Sequence, residues 1–494
     1  MTSLSIMDTA FVWFESDETP MHVTGLVLLR PPKRQQGQFA RRLYGHMLSF
    51  PEVVAPFNWR LSVSYHNLPQ WLPCERVVLA DHIGLELLPE PGDRAQLMQL
   101  IGRFHSRPLD RSRPLWQLLL VDGMADGCVA VALKMHHALA DGVRASGLFT
   151  RCMSTSARGP FRPFWQHPLS EGEGHQGDVS EQGMVAGWLD AVSRLSKEVL
   201  TLPGLLRLGS RLALKALHLG DSPLATPFTA PRTPLNQRTS GGRSICVGRF
   251  PLASFKQIGR LTGASLNDVA LAVCDIALTR YLADHGWRPT KPLVALMPVN
   301  LRRPGDLASA CNKMSIGLVA MGGVDDSPIE RLAAIQRSST GVKQEALSMS
   351  PEAYVNYSIL VNAAALLGGK LNLNGVVPPA SNLIISNVPG AKRPLYLMGA
   401  RMTEVYPLSL LLPGQSLNIT LYSYDGAVHF GLVGSNDALP HFELMAEYLA
   451  EALSGLEQDV VELAVALVSD QLAVPETDGD SGDGEGAVPR QSGL

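Results

Sequence analysis

The stretch CVAVALKMHHALADG, residues 128–142, decides how the rest of the chain is read. An apolar run rich in valine and alanine ends in two adjacent histidines, His136 and His137, followed by Asp141 and Gly142. The run reads as a strand, and functional side chains of α/β sheets tend to emerge at strand ends. Successive side chains of an extended chain point to opposite faces, so the two histidines are not expected to share one task. One can enter a cleft while the other packs or binds backbone. Gly142 removes a side chain where backbone or substrate must come close. Asp141 can anchor the turn or meet an arginine. Three readings stay open: a histidine base suited to neutral pH, a metal site, and two histidines satisfied in a turn. The metal reading lacks a nearby Cys, Glu or third His at ligand spacing. No Gly-x-Ser-x-Gly elbow, Ser-x-x-Lys or recognisable cysteine nucleophile accompanies the pair. A base without a protein nucleophile suggests that the substrate supplies the nucleophile.

Outward from this stretch, short apolar runs alternate with helical patterns in both halves, which predicts an α/β (mixed α+β) build. MHVTGLVLL (21–29) and QLLLV (117–121) read as strands beside CVAVALKM (128–135). LVALMPV (293–299), SNLIISNV (381–388), LNITLYSY (417–424) and VHFGLVG (428–434) read as strands of the second half. Residues 265–286 read as a helix, with Leu266, Val269, Ala270, Val273 and Ala277 at helical spacing. Ser265 is its expected N-cap, with Asp268 three residues on completing a weak capping pattern.

At 494 residues the chain is too long for one compact core, and two domains are expected. With 46% hydrophobic and 18% charged residues it has the make-up of an ordinary globular protein. No apolar run reaches the roughly 20 residues of a spanning helix. The N-terminal segment lacks a basic start and turns acidic early, so no secretory signal is expected. The six cysteines are scattered without a close pair, so neither a disulfide nor a zinc framework is expected, and a cytoplasmic location fits. The formal charge of −3 is carried by the end of the chain: residues 475–494 hold five acids and one base, a net of −4, which leaves the rest at +1. That Gly-, Asp- and Ser-rich tail reads as disordered, and a near-neutral body argues against nucleic acid as a partner.

The middle changes character. Residues 154–183 and 221–243 are polar or proline-rich and read as linker, with a helical segment, 184–219, between them. The expected division is 1–183, a helical and proline-rich crossover over 184–243, 244–470, and the acidic tail 475–494. In the crossover Arg207, Arg211 and Lys215 recur every four residues among leucines. Such a helix suits an anionic lipid surface, and equally a helix packed on the domain with a solvated basic face.

His136, His137, Asp141 and Gly142 together resemble the active-site motif of the CoA-dependent acyltransferase superfamily. Within it the chain resembles the bacterial wax ester synthase/diacylglycerol acyltransferase family. MHVTGLVLL resembles that family's first strand, LDRSRPLW (109–116) contains its Pro-Leu-Trp motif at Pro114, Leu115 and Trp116, and SLNDVALA (265–272) contains its Asn-Asp motif at Asn267 and Asp268. LMPVNLRR (296–303), NKMS (312–315) and ISNVPG (385–390) follow in order. The resemblance runs from about residue 5 to about 460.

The resemblance implies two similar domains, each a mixed sheet with flanking helices, and an active-site channel between them. It implies acyl-CoA as a substrate, with no cofactor and no metal, and a fatty alcohol or diacylglycerol as acceptor. His137, the second histidine, would be the base, with a wax ester or triacylglycerol as product. Asn267 is the candidate donor to the tetrahedral oxyanion, the alternative being that it only caps its helix. Asp141 is expected to be structural, pairing with Arg302. Trp116, with Pro114 and Leu115, is a candidate channel lining, though a buried Trp is more often core. Asp268, Ala364 and Gly368 complete the expected substrate contacts, the last two from small residues beside Leu366 and Leu367. A peripheral membrane or lipid-inclusion surface is the expected setting. The alternatives are another hydroxyl acceptor, or a lipid-droplet binding protein with a decayed site.

Overall fold

The computed structural model describes residues 2–4, 6–63, 69–140, 147–148, 150–167, 227–300, 314–348, 361–362, 364–371, 373 and 376–472. Asp141, Gly142, Arg302, the basic segment 184–219 and the acidic tail therefore lie outside the described residues. In chain order the strands are β1 Thr2–Ser3, β2 His22–Arg30, β3 Trp59–Ser62, β4 Gln70–Pro73, β5 Ile83–Leu87, β6 Trp116–Asp122, β7 Val129–His136, β8 Arg243–Pro251, β9 Val294–Asn300, β10 Met314–Ala320, β11 Leu383–Pro389, β12 Tyr396–Leu397, β13 Ala400–Leu408, β14 Leu417–Tyr424 and β15 Ala427–Ser435. The helices used below are α1 Ile6–Phe14, α2 Phe39–Leu48, α3 Arg94–Ser106, α4 Leu252–Thr262, α5 Leu266–Asp284, α6 Pro328–Ser348 and α7 Met445–Leu472.

Two six-stranded mixed sheets organise the chain, in the orders β12-β13-β2-β7-β6-β5 and β10-β9-β11-β14-β15-β8. The first sheet is not built from the first half alone. After β11 the chain leaves the second sheet, and β13 pairs antiparallel with β2 from Arg401↔Arg30 to Leu408↔Thr24. It then returns to β14, which runs parallel to β11. The sheets press together where β13 meets β15: a Cβ on Gly431 would stand 1.9 Å from the Pro407 carbonyl oxygen, so only glycine permits that approach. A shared apolar cluster seals the contact, with Leu26, Ala130 and Ala132 from the first sheet beside Ile245 and Val433 from the second.

Strand β7 is buried along its whole length, which explains why its sequence is continuously apolar instead of alternating. Leu133 and Met135 face one core, and Ala130 and Ala132 face the other. The exception, Lys134, is fully buried, and its Nζ donates to the carbonyls of Phe104 and Arg107, 2.9 Å each. It thus caps the C-terminus of α3, whose last carbonyls lack intrahelical partners. Burial pushes its ammonium down to about 7.

The middle is packed where it is described. Residues 154–167 read as linker by composition, yet Phe161, Phe164 and Trp165 enter the first core and the Trp165 indole donates to the Phe50 carbonyl, 3.1 Å. Leu235, in the proline-rich stretch, is fully buried in the second core. These aromatic and aliphatic anchors outweigh the polar average of their windows. Among the described residues no single helix is long and apolar enough to cross a membrane.

Candidate active site

Strand β7 ends at His136, whose partner across the sheet is His22 of β2. The chain then turns, with the amides of Leu139 and Ala140 donating to the His136 carbonyl (2.9 and 3.2 Å). Two neighbours hold this turn by backbone. The His136 amide donates to the Leu115 carbonyl (3.0 Å) and the His137 amide to the Met21 carbonyl (2.8 Å). The two side chains have different surroundings, as strand alternation requires. His136 is fully buried. His137 is partly exposed, its ring packed on Phe11 of α1 with centroids 4.1 Å apart.

The His136 Nδ1 accepts the Ala138 amide (3.1 Å), so the ring proton belongs on Nε2. That nitrogen stands 3.4 Å from Glu15 Oε1, at ion-pair distance but short of a well-formed hydrogen bond. Glu15 also accepts the Met21 amide at Oε1 (3.1 Å) and two bonds from Arg111 at Oε2 (2.7 and 3.0 Å). Arg111 in turn donates to the Val12 carbonyl of α1. The Glu15 side chain is 6% exposed. Burial pushes its carboxyl up, but His136, the Met21 amide and Arg111 outweigh burial and hold it at about 2. Since this lies below the ordinary 4.5, the pairing stabilises the fold above about pH 4.5, and the stabilisation is lost as pH falls toward 2. Glu15→Gln is therefore expected to lower the unfolding free energy at pH 7 by on the order of 2–3 kcal/mol. Urea unfolding at pH 7 and 3.5 checks it: the gap to wild type narrows at the lower pH, and an equal gap at both contradicts the assignment.

A second polar group comes from the other sheet. Helix α5 begins after Ser265, which is its N-cap, in a full capping box with Asp268. Asn267 therefore does not cap the helix. Its Oδ1 accepts the amide of Asn387 on β11, 2.7 Å. That bond fixes the Asn267 amide plane and joins the Asn-Asp stretch to Ser-Asn-Val-Pro-Gly. The next residue, Val388, and Tyr422 of β14 pack in the same apolar cluster as Ala138, Leu139 and Ala140, which follow the histidines. The Asn267–Asn387 bond thus stands one residue from a side chain packed on the apolar cluster that also holds the end of the histidine turn.

Several expected substrate contacts have other duties. Pro114, Leu115 and Trp116 are buried. The Trp116 indole donates to the Phe57 carbonyl (2.9 Å) and its ring lies between His82 and Trp165. Far from lining a channel, Trp116 is core, and Leu115 serves the site through its carbonyl. Asp268 likewise turns inward: Oδ2 caps α5 and Oδ1 accepts the Ser339 hydroxyl of α6, 2.5 Å. Ala364 and Gly368 sit on a helical stretch over 364–370, both partly exposed. A Cβ on Gly368 meets nothing within 4 Å, whereas one on Gly369 would stand 2.1 Å from the Pro413 carbonyl. Glu15, Arg111, Phe11 and Asn387 were not singled out by sequence reasoning. Arg111 and Asn387 lay inside motifs already quoted, but nothing local shows what their side chains meet.

Comparison with known proteins gives the family. Residues 4–270 match the profile of the wax ester synthase/diacylglycerol acyltransferase catalytic domain, and residues 310–457 that of the C-terminal domain of the same group. A Mycobacterium tuberculosis protein named as a diacylglycerol O-acyltransferase is 37% identical over 461 residues, covering 92% of this chain and all of that one. A second from the same organism, also named as a diacylglycerol O-acyltransferase, is 34% identical over 457 residues, covering 92% and 98%. The solved wax ester synthase/diacylglycerol acyltransferase from Marinobacter aquaeolei VT8 superimposes with a TM-score of 0.75 at 31% identity, covering 93% of this chain and all of that one. The first condensation domain of a calcium-dependent antibiotic synthetase shares the fold, with a TM-score of 0.53 at 13% identity.

Proposed function

The chain belongs to the wax ester synthase/diacylglycerol acyltransferase family and is an O-acyltransferase, and from that premise we propose that it moves a long-chain acyl group from acyl-CoA to a fatty alcohol or diacylglycerol hydroxyl. The observation that carries the reading is the unequal histidine pair: His136 is sealed and held by Ala138 and Glu15, while His137 stays partly exposed at the strand end. His137 takes the hydroxyl proton as the oxygen attacks the thioester carbonyl. Asn267 donates its amide N–H to the tetrahedral oxyanion, its orientation set by Asn387. The carbon–sulfur bond breaks, CoA thiolate leaves, and the imidazolium returns the proton to it. Asp141 and Gly142 keep their proposed roles in the turn.

The acceptors are lipids, which supports work at a membrane or lipid-inclusion surface. Trp13, Leu371 and Val376 are exposed, and Lys370 between them donates to the Trp13 carbonyl. Product analysis with palmitoyl-CoA and vesicles carrying either hexadecanol or dipalmitoylglycerol tests both points. The expected outcome is ester formed on the vesicles with the protein floating beside them. CoA released without ester would overturn the transferase reading.

Gly368 and Ala364 are proposed to border the acyl path. Gly368→Leu has room for its first atoms and is expected to shift preference toward shorter acyl-CoA, while Gly369→Ala mainly destabilises, since its Cβ meets backbone. Rates across C8 to C18 acyl-CoA decide: an unchanged profile in a folded Gly368→Leu removes this residue from the path.

A further inference from the structure

We propose that Glu15 is a positioning residue for His137, acting through Met21 and His136. The inference rests on His137 being the base. Glu15 Oε1 accepts the amide of Met21 and faces Nε2 of His136. The carbonyl of that same Met21 accepts the amide of His137. One carboxylate oxygen therefore grips both supports of the residue that does the chemistry. The other oxygen takes two bonds from Arg111, which also holds the Val12 carbonyl on α1, the helix whose Phe11 ring packs on His137. The peptide bond to Met21 and the ring contact with Phe11 both reach His137 from residues within one position of a partner of this pair.

The chemistry of the four neighbours explains why a carboxylate is needed. The Met21 amide and the two Arg111 groups donate to the carboxylate and the His136 Nε2–H faces it at 3.4 Å, so every neighbour is a donor and an ionised carboxylate suits them all. A glutamine of the same size must aim its NH2 either at Met21 and His136 or at Arg111, a donor against donors.

Glu15→Gln is expected to lower kcat by roughly 10–100-fold, the scale on which misplacement by about 1 Å acts, with KM for palmitoyl-CoA within about threefold. Both are read well below the melting temperature, on protein shown to be folded by circular dichroism. A residue that only stabilises the fold would lower the melting temperature and leave kcat per folded enzyme alone. Adding Arg111→Met removes the opposing donor and lets the Gln oxygen return to Met21 and His136. The double variant is therefore expected to be no slower than Glu15→Gln, although less stable than wild type. If Glu15→Gln does not fold, Glu15→Asp keeps the charge, draws the carboxylate back from Met21, and is expected to lose kcat in the same way. A kcat within threefold of wild type in the folded variant, or losses that multiply in the double variant, would overturn the proposal. His137→Ala is measured alongside. Full activity there defeats the base reading itself, whereas an inactive His137→Ala beside an unaffected Glu15→Gln defeats this inference alone.

Discussion

His137→Ala lowers kcat by roughly 10²–10⁴-fold, the range a positioned general base supplies, in a protein that folds as before. The expectation of an intact fold follows from how the turn is built. The turn is held by backbone, through the His137 amide on Met21 and the His136 amide on Leu115, and alanine keeps both bonds. The imidazole is partly exposed and packs on the face of Phe11. His136→Ala behaves differently: it leaves the Ala138 amide and the Glu15 carboxylate facing a cavity, so it costs stability as well as rate. Steady-state rates and thermal melts on the two variants separate the cases. Equal melting losses with equal rate losses would mean that the histidines do not divide their work as argued.

Asn267→Ala is expected to lower kcat by roughly 10²–10³-fold, the usual cost of one lost oxyanion donor. The helix it starts does not depend on it, because Ser265 and Asp268 close the capping box by themselves. Stability therefore changes little. Asn387→Ala leaves the donor in place but frees its amide to rotate, since Oδ1 of Asn267 loses the hydrogen bond from β11. Its effect on kcat is expected to be smaller than that of Asn267→Ala. A kcat for Asn267→Ala within a few-fold of wild type removes it from the oxyanion role.

What was legible in the sequence is what local periodicity encodes. Strands β2, β6, β7, β14 and β15 lie where the apolar runs predict them, and α5 starts at the expected cap. Strand alternation also anticipated that His136 and His137 would face different environments. The crossover of β13 was not legible: Glu404 and Thr403 interrupt its apolar pattern, and its register is set by β2, nearly four hundred residues earlier. Glu404 is tied to the Tyr406 hydroxyl two residues on and to Arg94 of α3, a partner that no window of sequence contains. Glu15 was hidden for the same reason. In sequence it opens an acidic stretch; in space it accepts from Met21 and Arg111 and faces His136. Composition misled over 154–167, where a few aromatic anchors decide burial against a polar average. Trp116 shows the reverse, a motif residue whose indole hydrogen bond and full burial mark it as support for the site.

The measurement that tests the central claim most directly is CoA thiol release from palmitoyl-CoA by wild type and His137→Ala, with hexadecanol, with dipalmitoylglycerol and with no acceptor. Direct transfer to a lipid hydroxyl predicts release that requires an acceptor and disappears in the variant. Equal release without acceptor, or release that survives the loss of His137, would contradict it.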